Sequence, residues 1–313
     1  MEPFFSVVIT VYNKANFILE TLKGVLNQNF SDFEVLIVND GSTDNSLDLI
    51  KSITDKRVSI ISTTNNGVST ARNIGMKAAK AKYIALSDGD DIWFPNHLSE
   101  LKRLIESFPD CGIYATSYTK NFFNGNTIKP KFNNIGHPFF DVVSDYFKSS
   151  TIDNILWTSA VAIPKKIFDK GYKFDESLGW GEDNDLWIRI ALDFKVAFSS
   201  ESTAFKMIYS NENHLSLTKD IPNLLTMLSK HTKNEKHNTS LKTYLDINRF
   251  MIAMEAKLRN DRTSYKLMKS QLDHKNLNYK LRLLLMLPAG VLRFLKQIKF
   301  FLLKYKLYHS PFR

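Results

Sequence analysis

The sequence predicts an α/β fold of Rossmann-like type, in which a mixed, mainly parallel sheet is flanked by helices and followed by a C-terminal α-helical extension. Two observations lead to this prediction. Apolar runs of strand length alternate with helical patterns across the first 120 residues. Residues 219–276 are more polar, with apolar residues at helical spacing. A chain of 313 residues is long enough for one large α/β domain with an appendage, or for two domains.

Four apolar runs of strand length open the chain, and a helical pattern separates each from the next. The strands are predicted at residues 6–11, 33–38, 58–62 and 83–86, and the helices at 17–26, 46–53 and 68–79. This β-α-β-α-β-α-β order is typical of a sheet with parallel strands. Ligands bind outside the carboxyl ends of the strands in such sheets, so we expect the site in the segments that follow them.

Each of the four predicted strands ends in polar residues. The last of these segments, Leu86-Ser-Asp-Gly-Asp-Asp91, places three carboxylates within four residues. A turn through Gly89 can aim Asp88 and Asp90 at one point, and hard oxygen ligands of this kind suit Mg²⁺ or Mn²⁺. The alternative is an acidic turn that caps the next helix.

A second acidic cluster lies at residues 179–189, where a loop enters a predicted helix. It contains Glu182 and Asp183. Acidic residues in a first helical turn are favoured by the helix dipole alone. The pattern therefore leaves open a structural role beside a catalytic one.

The four strand-end segments together resemble the nucleotide-sugar-binding half of the family-2 glycosyltransferases, which have a GT-A-type fold. The matching segments are residues 8–13, 38–44, 67–75 and 88–93, and the resemblance covers about residues 4–218. We therefore expect a glycosyltransferase domain at 1–218 and a helical extension at 219–313.

The resemblance implies roles for individual residues. The residues expected to bind the donor nucleotide are Thr10, Tyr12, Asp40, Arg72 and Asp88. Asp90 and Asp88 are expected to bind the metal, with His214 as a further candidate. Trp180 and Glu182 are expected on the acceptor side, and Asp183 is expected to be the general base.

In the family pattern Tyr12 borders the base, Asp40 accepts a hydrogen bond from the base N–H, and Arg72 reaches the pyrophosphate. Simpler readings stay open for each. Tyr12 could pack in the core, Asp40 could order a turn, Arg72 could form a surface ion pair, and His214 could be structural. Asp91 is expected to orient its loop.

The implied activity is metal-dependent, inverting, non-processive transfer of a hexosyl or N-acetylhexosaminyl group from a nucleotide-diphosphate sugar, first of all a UDP-sugar. The acceptor would be a hydroxyl of a saccharide, with a lipid-linked saccharide as one form, in surface polysaccharide assembly. Mn²⁺ or Mg²⁺ is the expected cofactor. The chain has no Gln-x-x-Arg-Trp motif of processive synthases. The alternatives are a nucleotidyltransferase, which should carry a glycine-rich loop that residues 10–16 lack, and a non-catalytic membrane-bound scaffold.

The C-terminal segment carries most of the net charge of +10. Residues 277–313 contain eight Lys/Arg and no Asp/Glu, so the remaining body is near neutral and nucleic acid is not expected as a partner. From Pro288 on, apolar and basic residues fall on opposite sides of a helix. We expect residues 281–313 to lie in the plane of an anionic membrane surface, with packing on the catalytic domain as the alternative.

The expected location is the cytoplasm, with the protein attached peripherally to the inner face of the cell membrane. The N-terminus lacks the pattern of a signal peptide. The single cysteine, Cys111, fits a reducing compartment. Residues 121–155, which are rich in aromatic side chains, are expected to form an acceptor-binding lid or to pack in the core.

Overall fold

The predicted alternation of strands and helices is present in the computed structural model, which describes residues 2–122, 125–208 and 220–304. The strands are Phe5–Val11 (β1), Phe33–Asp40 (β2), Val58–Thr63 (β3), Tyr83–Asp88 (β4), Ile92–Trp93 (β5), Ile113–Phe122 (β6), Thr127–Ile128 (β7), Phe140–Val142 (β8), Val161–Pro164 (β9) and Val196–Ile208 (β10).

Helices lie between the strands and form the whole described C-terminal part. They are Ile18–Leu26 (α1), Ser46–Lys51 (α2), Val68–Ala78 (α3), His97–Ser107 (α4), Tyr146–Ser149 (α5), Lys165–Asp169 (α6), Glu182–Asp193 (α7), Ile221–Lys230 (α8), Thr239–Leu258 (α9), Arg262–Gln271 (α10), Tyr279–Met286 (α11) and Ala289–Lys304 (α12). Single 3₁₀ turns are at Thr158–Ala160, Asn234–Lys236 and His274–Asn276.

The described strands form one mixed sheet in the order β3-β2-β1-β4-β9-β6-β10-β5, with β7 on β6 and β8 on β10. The first four strands are parallel to one another, as predicted, and so are β6 and β10. Strand β9 runs antiparallel between β4 and β6. Strand order reverses at β1, and ligands of such sheets bind at the point of reversal.

Side chains of β1 alternate between two cores, one on each face of the sheet. Val7 and Ile9 pack with α1 and α4, whereas Val8 packs with α3 and α7. The contact with α3 is close, because a Cβ on Gly75 would lie 2.3 Å from Cγ1 of Val8. A glycine is required there for the helix to approach the sheet, and this brings the N-terminus of α3 to the crevice.

The sequence of residues 157–164 also predicts a strand, and this prediction is partly wrong. Residues 157–164 are extended only from Val161, because Thr158–Ala160 forms a 3₁₀ turn closed by the Ala160 N–H and the Trp157 carbonyl at 2.8 Å. The turn has a purpose in the site, since it directs the Ser159 hydroxyl toward the acidic turn after β4.

The C-terminal helices share the core of the sheet. Leu241 and Leu245 of α9 belong to the same buried cluster as Trp187 of α7. The predicted domain boundary at residue 218 lies outside the described residues. Helix α12 touches the body at one side, where Leu292 is buried and Arg293 donates to the Leu258 carbonyl at 3.1 Å.

Val291, Phe294 and Leu295 of α12 are exposed to solvent, and Phe294 is 60% exposed. Within residues 2–122, 125–208 and 220–304, no helix combines the length and the apolar character that a membrane crossing requires.

Candidate active site

The carboxyl ends of β1 and β4 border a crevice at the point where strand order reverses. Thr10 lies opposite Asp88 in the register of the two strands, and its hydroxyl is 3.5 Å from Oδ1 of Asp88. The parallel pairing therefore brings two of the predicted donor-binding residues to one place.

The loop after β1 is fixed to the loop after β2. Asn13 has a positive φ of 51°, and its side-chain oxygen accepts the N–H groups of Thr43 at 2.8 Å and Asp44 at 3.3 Å. The preceding residue, Tyr12, keeps 44% of its surface exposed. Tyr12 is therefore not part of the core, and its ring lies at the rim of the crevice, where a base could stack on it.

Asp40 ends β2 and is 3% exposed. Its two carboxylate oxygens accept the backbone N–H groups of Asn66 at 2.9 Å and Gly67 at 3.0 Å. The aspartate therefore orders the loop that leads into α3. Each carboxylate oxygen has a second lone pair, and the predicted contact of Asp40 with a base stays a prediction.

The acidic turn after β4 is held by the 3₁₀ turn at Thr158–Ala160. The Ser159 hydroxyl accepts the Asp88 N–H at 2.9 Å and donates to Asp91 at 2.6 Å. Asp91 also accepts the Met207 N–H at 3.1 Å. Burial, together with the charges of Asp90 and Asp88, holds the pKa of Asp91 well above its ordinary value. Asp91 thus orients the loop, as expected.

Asp88 and Asp90 are the carboxylates of this turn that reach the crevice. Their side chains are 29% and 13% exposed, and the Lys14 ammonium lies 2.6 Å from Oδ2 of Asp90. No group of three or more His, Cys, Asp or Glu suited to a metal is found in the described part of the chain. Mg²⁺ and Mn²⁺ commonly take one or two protein carboxylates and complete their shells with water and phosphate. These two aspartates fit that chemistry, and Lys14 shows that the position attracts a cation.

Arg72 joins the two acidic clusters. Its guanidinium donates to Asp88 at 2.7 Å through Nη2 and to Glu182 at 2.7 Å through Nη1, and its Cζ lies 5.0 Å from the centre of the Phe174 ring. Burial alone would lower the pKa of Arg72, but the charges of Asp88 and Glu182 outweigh it and raise that pKa. Arg72 is therefore a buried bridge and not a surface ion pair.

Glu182 and Asp183 begin α7, directly after Gly181 with a φ of 80°. Burial, aided by the charge of Asp183 and opposed by Arg72, raises the pKa of Glu182 to about 7. Asp183 is half-buried, and its Oδ1 accepts the Asn184 N–H at 2.6 Å. Arg72 contacts both Glu182 and Asp88, and the charge of Asp183 acts on it as well, so the base candidate lies near the same guanidinium as the metal candidate Asp88.

Asp185, in the same acidic cluster, has a structural role. It accepts hydrogen bonds from Nε of Arg189 at 2.8 Å and pairs with Nε2 of His231 at 3.0 Å. This contact fastens the end of α8 to α7. A polar cavity of about 740 Å³ opens beside it, lined by Asp185, Arg189 and His231 among others, and does not include the crevice carboxylates.

The prediction missed a polar network behind Asp183. The side-chain oxygen of Asn184 accepts from Tyr244 of α9 at 3.1 Å and from Asn154 at 2.9 Å. Asn154 in turn accepts from the hydroxyl of Tyr146 at 3.0 Å. Burial first, and the charge of Asp183 second, raise the pKa of Tyr244 above its ordinary value. No local sequence signal links residue 244 to residue 183.

The prediction also missed Lys206. It is half-buried on β10, and its ammonium lies 5.4 Å from the ring centre of Trp157 and 5.8 Å from that of Tyr118. Burial lowers its pKa, while the charge of Asp91 opposes the shift. One signal was present in the sequence, because a lysine interrupts the apolar pattern of 203–208.

The remaining predicted residues have different outcomes. Trp180 is partly buried and packs against the core beside the start of α7. His214 lies outside the described residues. In the predicted lid, Phe132 and Phe139 pack on Phe198 with ring centres 5.1 Å and 6.2 Å away. Core packing, the alternative to a lid, accounts for these two side chains.

Comparison with known proteins connects this geometry to one family. The family model for glycosyl transferase family 2 matches residues 6–166. An uncharacterized glycosyltransferase of Methanocaldococcus jannaschii is 30% identical over 243 residues, which are 75% of this chain and 82% of that protein. One from Rickettsia bellii is 33% identical over 192 residues, which are 59% of this chain and only 26% of that protein. The chain thus spans about a quarter of that relative.

Two solved structures resemble the fold over nearly all of the chain. The S. aureus TarS fragment 1–349 in complex with UDP-GlcNAc has a TM-score of 0.69 at 17% identity, and the match covers 98% of this chain and 90% of that one. The mannosyltransferase PcManGT of Pyrobaculum calidifontis, in complex with GDP-Man and Mn²⁺, has a TM-score of 0.56 at 14% identity, covering 96% and 87%. The predicted GT-A-type fold with C-terminal helices is confirmed.

Proposed function

We propose, from the fact that the chain belongs to glycosyl transferase family 2, that it transfers a sugar from a nucleotide-diphosphate sugar to a hydroxyl group of a saccharide acceptor. One observation carries the proposal. Two acidic clusters, 94 residues apart in sequence between Asp88 and Glu182, share the buried guanidinium of Arg72. One cluster can hold a cation with a diphosphate, and the other can accept a proton.

Asp90 and Asp88 would hold Mn²⁺ or Mg²⁺. A divalent cation bound there supplies charge neutralisation for the diphosphate that leaves the sugar. Lys14, whose ammonium lies 2.6 Å from Oδ2 of Asp90, would yield its place on that carboxylate to the cation. The Mn²⁺ in the PcManGT complex belongs to a protein of the same fold.

Asp183 would be the general base. A sugar hydroxyl is a poor nucleophile until its proton is removed as the new bond forms. Asp183 is half-buried at the crevice, and Glu182 beside it is held by Arg72, so the two neighbouring carboxylates have separate tasks. Attack opposite the diphosphate inverts the anomeric centre in one displacement, and no enzyme nucleophile is needed.

The nucleotide would lie along the ends of β1 and β2. The exposed ring of Tyr12 offers a surface for a base, and Asp40 offers a carboxylate acceptor for a ring N–H. Thr10 and Arg72 contact Asp88, where the diphosphate would bind. We favour a UDP-sugar with a hexosyl or N-acetylhexosaminyl group as donor, and Trp180 and Glu182 on the acceptor side.

We propose further that α11 and α12 attach the protein to the inner face of the cell membrane, where a lipid-linked acceptor of surface polysaccharide assembly would be found. Met286 and Phe294 are 80% and 60% exposed, and cationic residues such as Lys296 stand among them. Large exposed apolar side chains beside basic ones favour an anionic lipid surface.

The enzymatic part is tested with the Asp183→Asn variant. Sugar-nucleotide screening by thermal shift comes first, because a ligand at 100 times its Kd adds about 2.7 kcal/mol of stability. The stabilisation by the selected nucleotide should require Mn²⁺ and should disappear in Asp90→Asn.

Asp183→Asn should lose about 10²- to 10⁴-fold in transfer rate while it binds the nucleotide normally. Asp193→Asn, at the other end of α7, is the control. A variant that loses binding along with turnover would contradict the base assignment.

The proposed attachment of α11 and α12 to the membrane is tested by substitutions and not by a truncation. Leu281, Leu285 and Leu292 are buried, so deleting residues 281–313 would uncover the core. Met286→Glu combined with Phe294→Glu should abolish sedimentation with anionic vesicles. The control is Met251→Glu, which changes an apolar residue 42% exposed on α9. Equal sedimentation of the double variant and the wild type would refute attachment through this surface.

A further inference from the structure

The backbone of Lys206 is fixed at the acidic turn. The next residue, Met207, donates its N–H to Asp91 at 3.1 Å. The preceding residue, Phe205, pairs with Ile92 of β5, the strand that directly follows the turn. The lysine therefore belongs to the wall of the crevice in which the donor diphosphate is proposed to bind.

The side chain of Lys206 is held over aromatic rings. Its ammonium lies within cation-π range of Trp157 and Tyr118, at 5.4 Å and 5.8 Å from the ring centres. Trp157 precedes the 3₁₀ turn whose Ser159 bonds both Asp88 and Asp91. The rings thus keep the ammonium next to the acidic turn.

The other cations of this region already have carboxylate partners. Arg72 is paired with Asp88 and Glu182, and Lys14 with Asp90. Lys120, which lies beside Lys206 in the sheet, is paired with Asp153. Lys206 makes no ion pair with any carboxylate in the described parts of the chain. The charges of Asp91, Asp183 and Asp88 act on the ammonium only at longer range, so it can directly contact a phosphate that arrives with the substrate.

We propose that the Lys206 ammonium binds the diphosphate of the donor and stabilises it as it leaves. This inference rests on the proposed function. In the transfer step the bond between the anomeric carbon and the diphosphate oxygen breaks, and its electron pair stays on that oxygen. The acceptor oxygen forms the new bond to the carbon, and its proton passes to Asp183. Lys206 transfers no proton, and its charge offsets the charge that grows on the diphosphate.

The test compares nucleoside diphosphates with monophosphates, because only the former carry the second phosphate. Binding of UDP, UMP, GDP and GMP, each with Mn²⁺, is measured by calorimetry for wild type, Lys206→Met and Lys206→Arg. Methionine keeps most of the apolar stem on Trp157. We expect Lys206→Met to weaken the preferred diphosphate about 10- to 100-fold and its monophosphate far less, since a hydrogen bond to a charged group is lost. Lys206→Arg should recover most of the affinity.

The control is Lys170→Met, which removes an exposed lysine 5.5 Å from the ring centre of Phe194 on the surface. It should bind both nucleotides like the wild type. If the wild type binds a diphosphate and Lys206→Met binds it equally well, the inference is wrong. A raised KM for the acceptor in that variant would then assign the lysine to an anionic acceptor instead. A wild type that binds none of the nucleotides would overturn the proposed function as well.

Discussion

The Glu182→Gln substitution tests whether the crevice raises the pKa of the Glu182 carboxyl group. Glu182 is 8% exposed, and burial with the charge of Asp183 raises its pKa from 4.5 to about 7, although Arg72 opposes the rise. A folded protein that binds this proton more tightly than the unfolded chain loses stability as pH rises between the two pKa values. Glutamine keeps the shape and cannot titrate.

The magnitude follows from the shift. Each unit of pKa corresponds to about 1.4 kcal/mol, so the wild type should lose roughly 2 to 3 kcal/mol from this group between pH 5 and pH 8. The loss begins above the unfolded pKa and is complete once pH exceeds the folded pKa. Glu182→Gln does not have this loss, so its free energy of unfolding relative to wild type should rise by the same amount over that range.

Urea unfolding at pH 5, 6, 7 and 8 measures the difference directly. The control is Glu201→Gln, which changes an exposed glutamate on β10. Parallel pH profiles for Glu182→Gln and wild type would show that Glu182 ionises as easily in the crevice as in the unfolded chain. The claim that burial and Asp183 outweigh Arg72 would then fail.

Three further outcomes are expected. Gly75→Ala should destabilise the fold by about 1 to 3 kcal/mol in chemical denaturation, because the new Cβ would lie 2.3 Å from Cγ1 of Val8; unchanged stability would mean that α3 can move away from the sheet. Tyr244→Phe should lower kcat without changing nucleotide affinity, because it removes the 3.1 Å hydrogen bond to Asn184 behind the proposed base; an altered nucleotide Kd with normal kcat would contradict this placement. Arg72→Met should cost about 3 to 5 kcal/mol of stability at pH 8, where both of its carboxylate partners are charged, and less at pH 6; a pH-independent loss would count against protonation of Glu182.

The first four strands and both acidic clusters were predictable from sequence because their signals are local. An apolar run followed by Asp-Gly, as at Asp88-Gly89, indicates where a strand ends and a turn begins. Because the strands are parallel, their carboxyl ends lie at one edge of the sheet. The parallel pairing of β1 and β4 likewise places Thr10 opposite Asp88. The prediction at residues 157–164 failed for a local reason too, since Thr158–Ala160 is less apolar than Val161–Pro164 and forms a 3₁₀ turn before the strand.

The connections within the site were not predictable, because they join distant segments. Arg72 contacts Glu182 across 110 residues, and Asn184 contacts Tyr244 across 60. A sequence pattern gives the residue types but no partner at such separations. The family resemblance implied that Arg72 reaches a phosphate, whereas its partners in the structure are the carboxylates of Asp88 and Glu182. Lys206 was overlooked for the same reason, since only its position in the sheet brings it beside the acidic turn.

The balance of charge in the crevice favours the binding of a divalent cation together with the proposed diphosphate. Asp88, Asp90, Asp91, Glu182 and Asp183 lie around one space, and the described cations that face them are Arg72, Lys14 and Lys206. The fold lowers the repulsion by raising the pKa of Asp91 and of Glu182. With Asp91 and Glu182 protonated, three carboxylates face three cations, so a diphosphate would give the space a net negative charge, which a divalent cation bound by Asp88 and Asp90 would offset. The proposed dependence of nucleotide binding on a divalent cation would therefore follow from the residues that form the crevice.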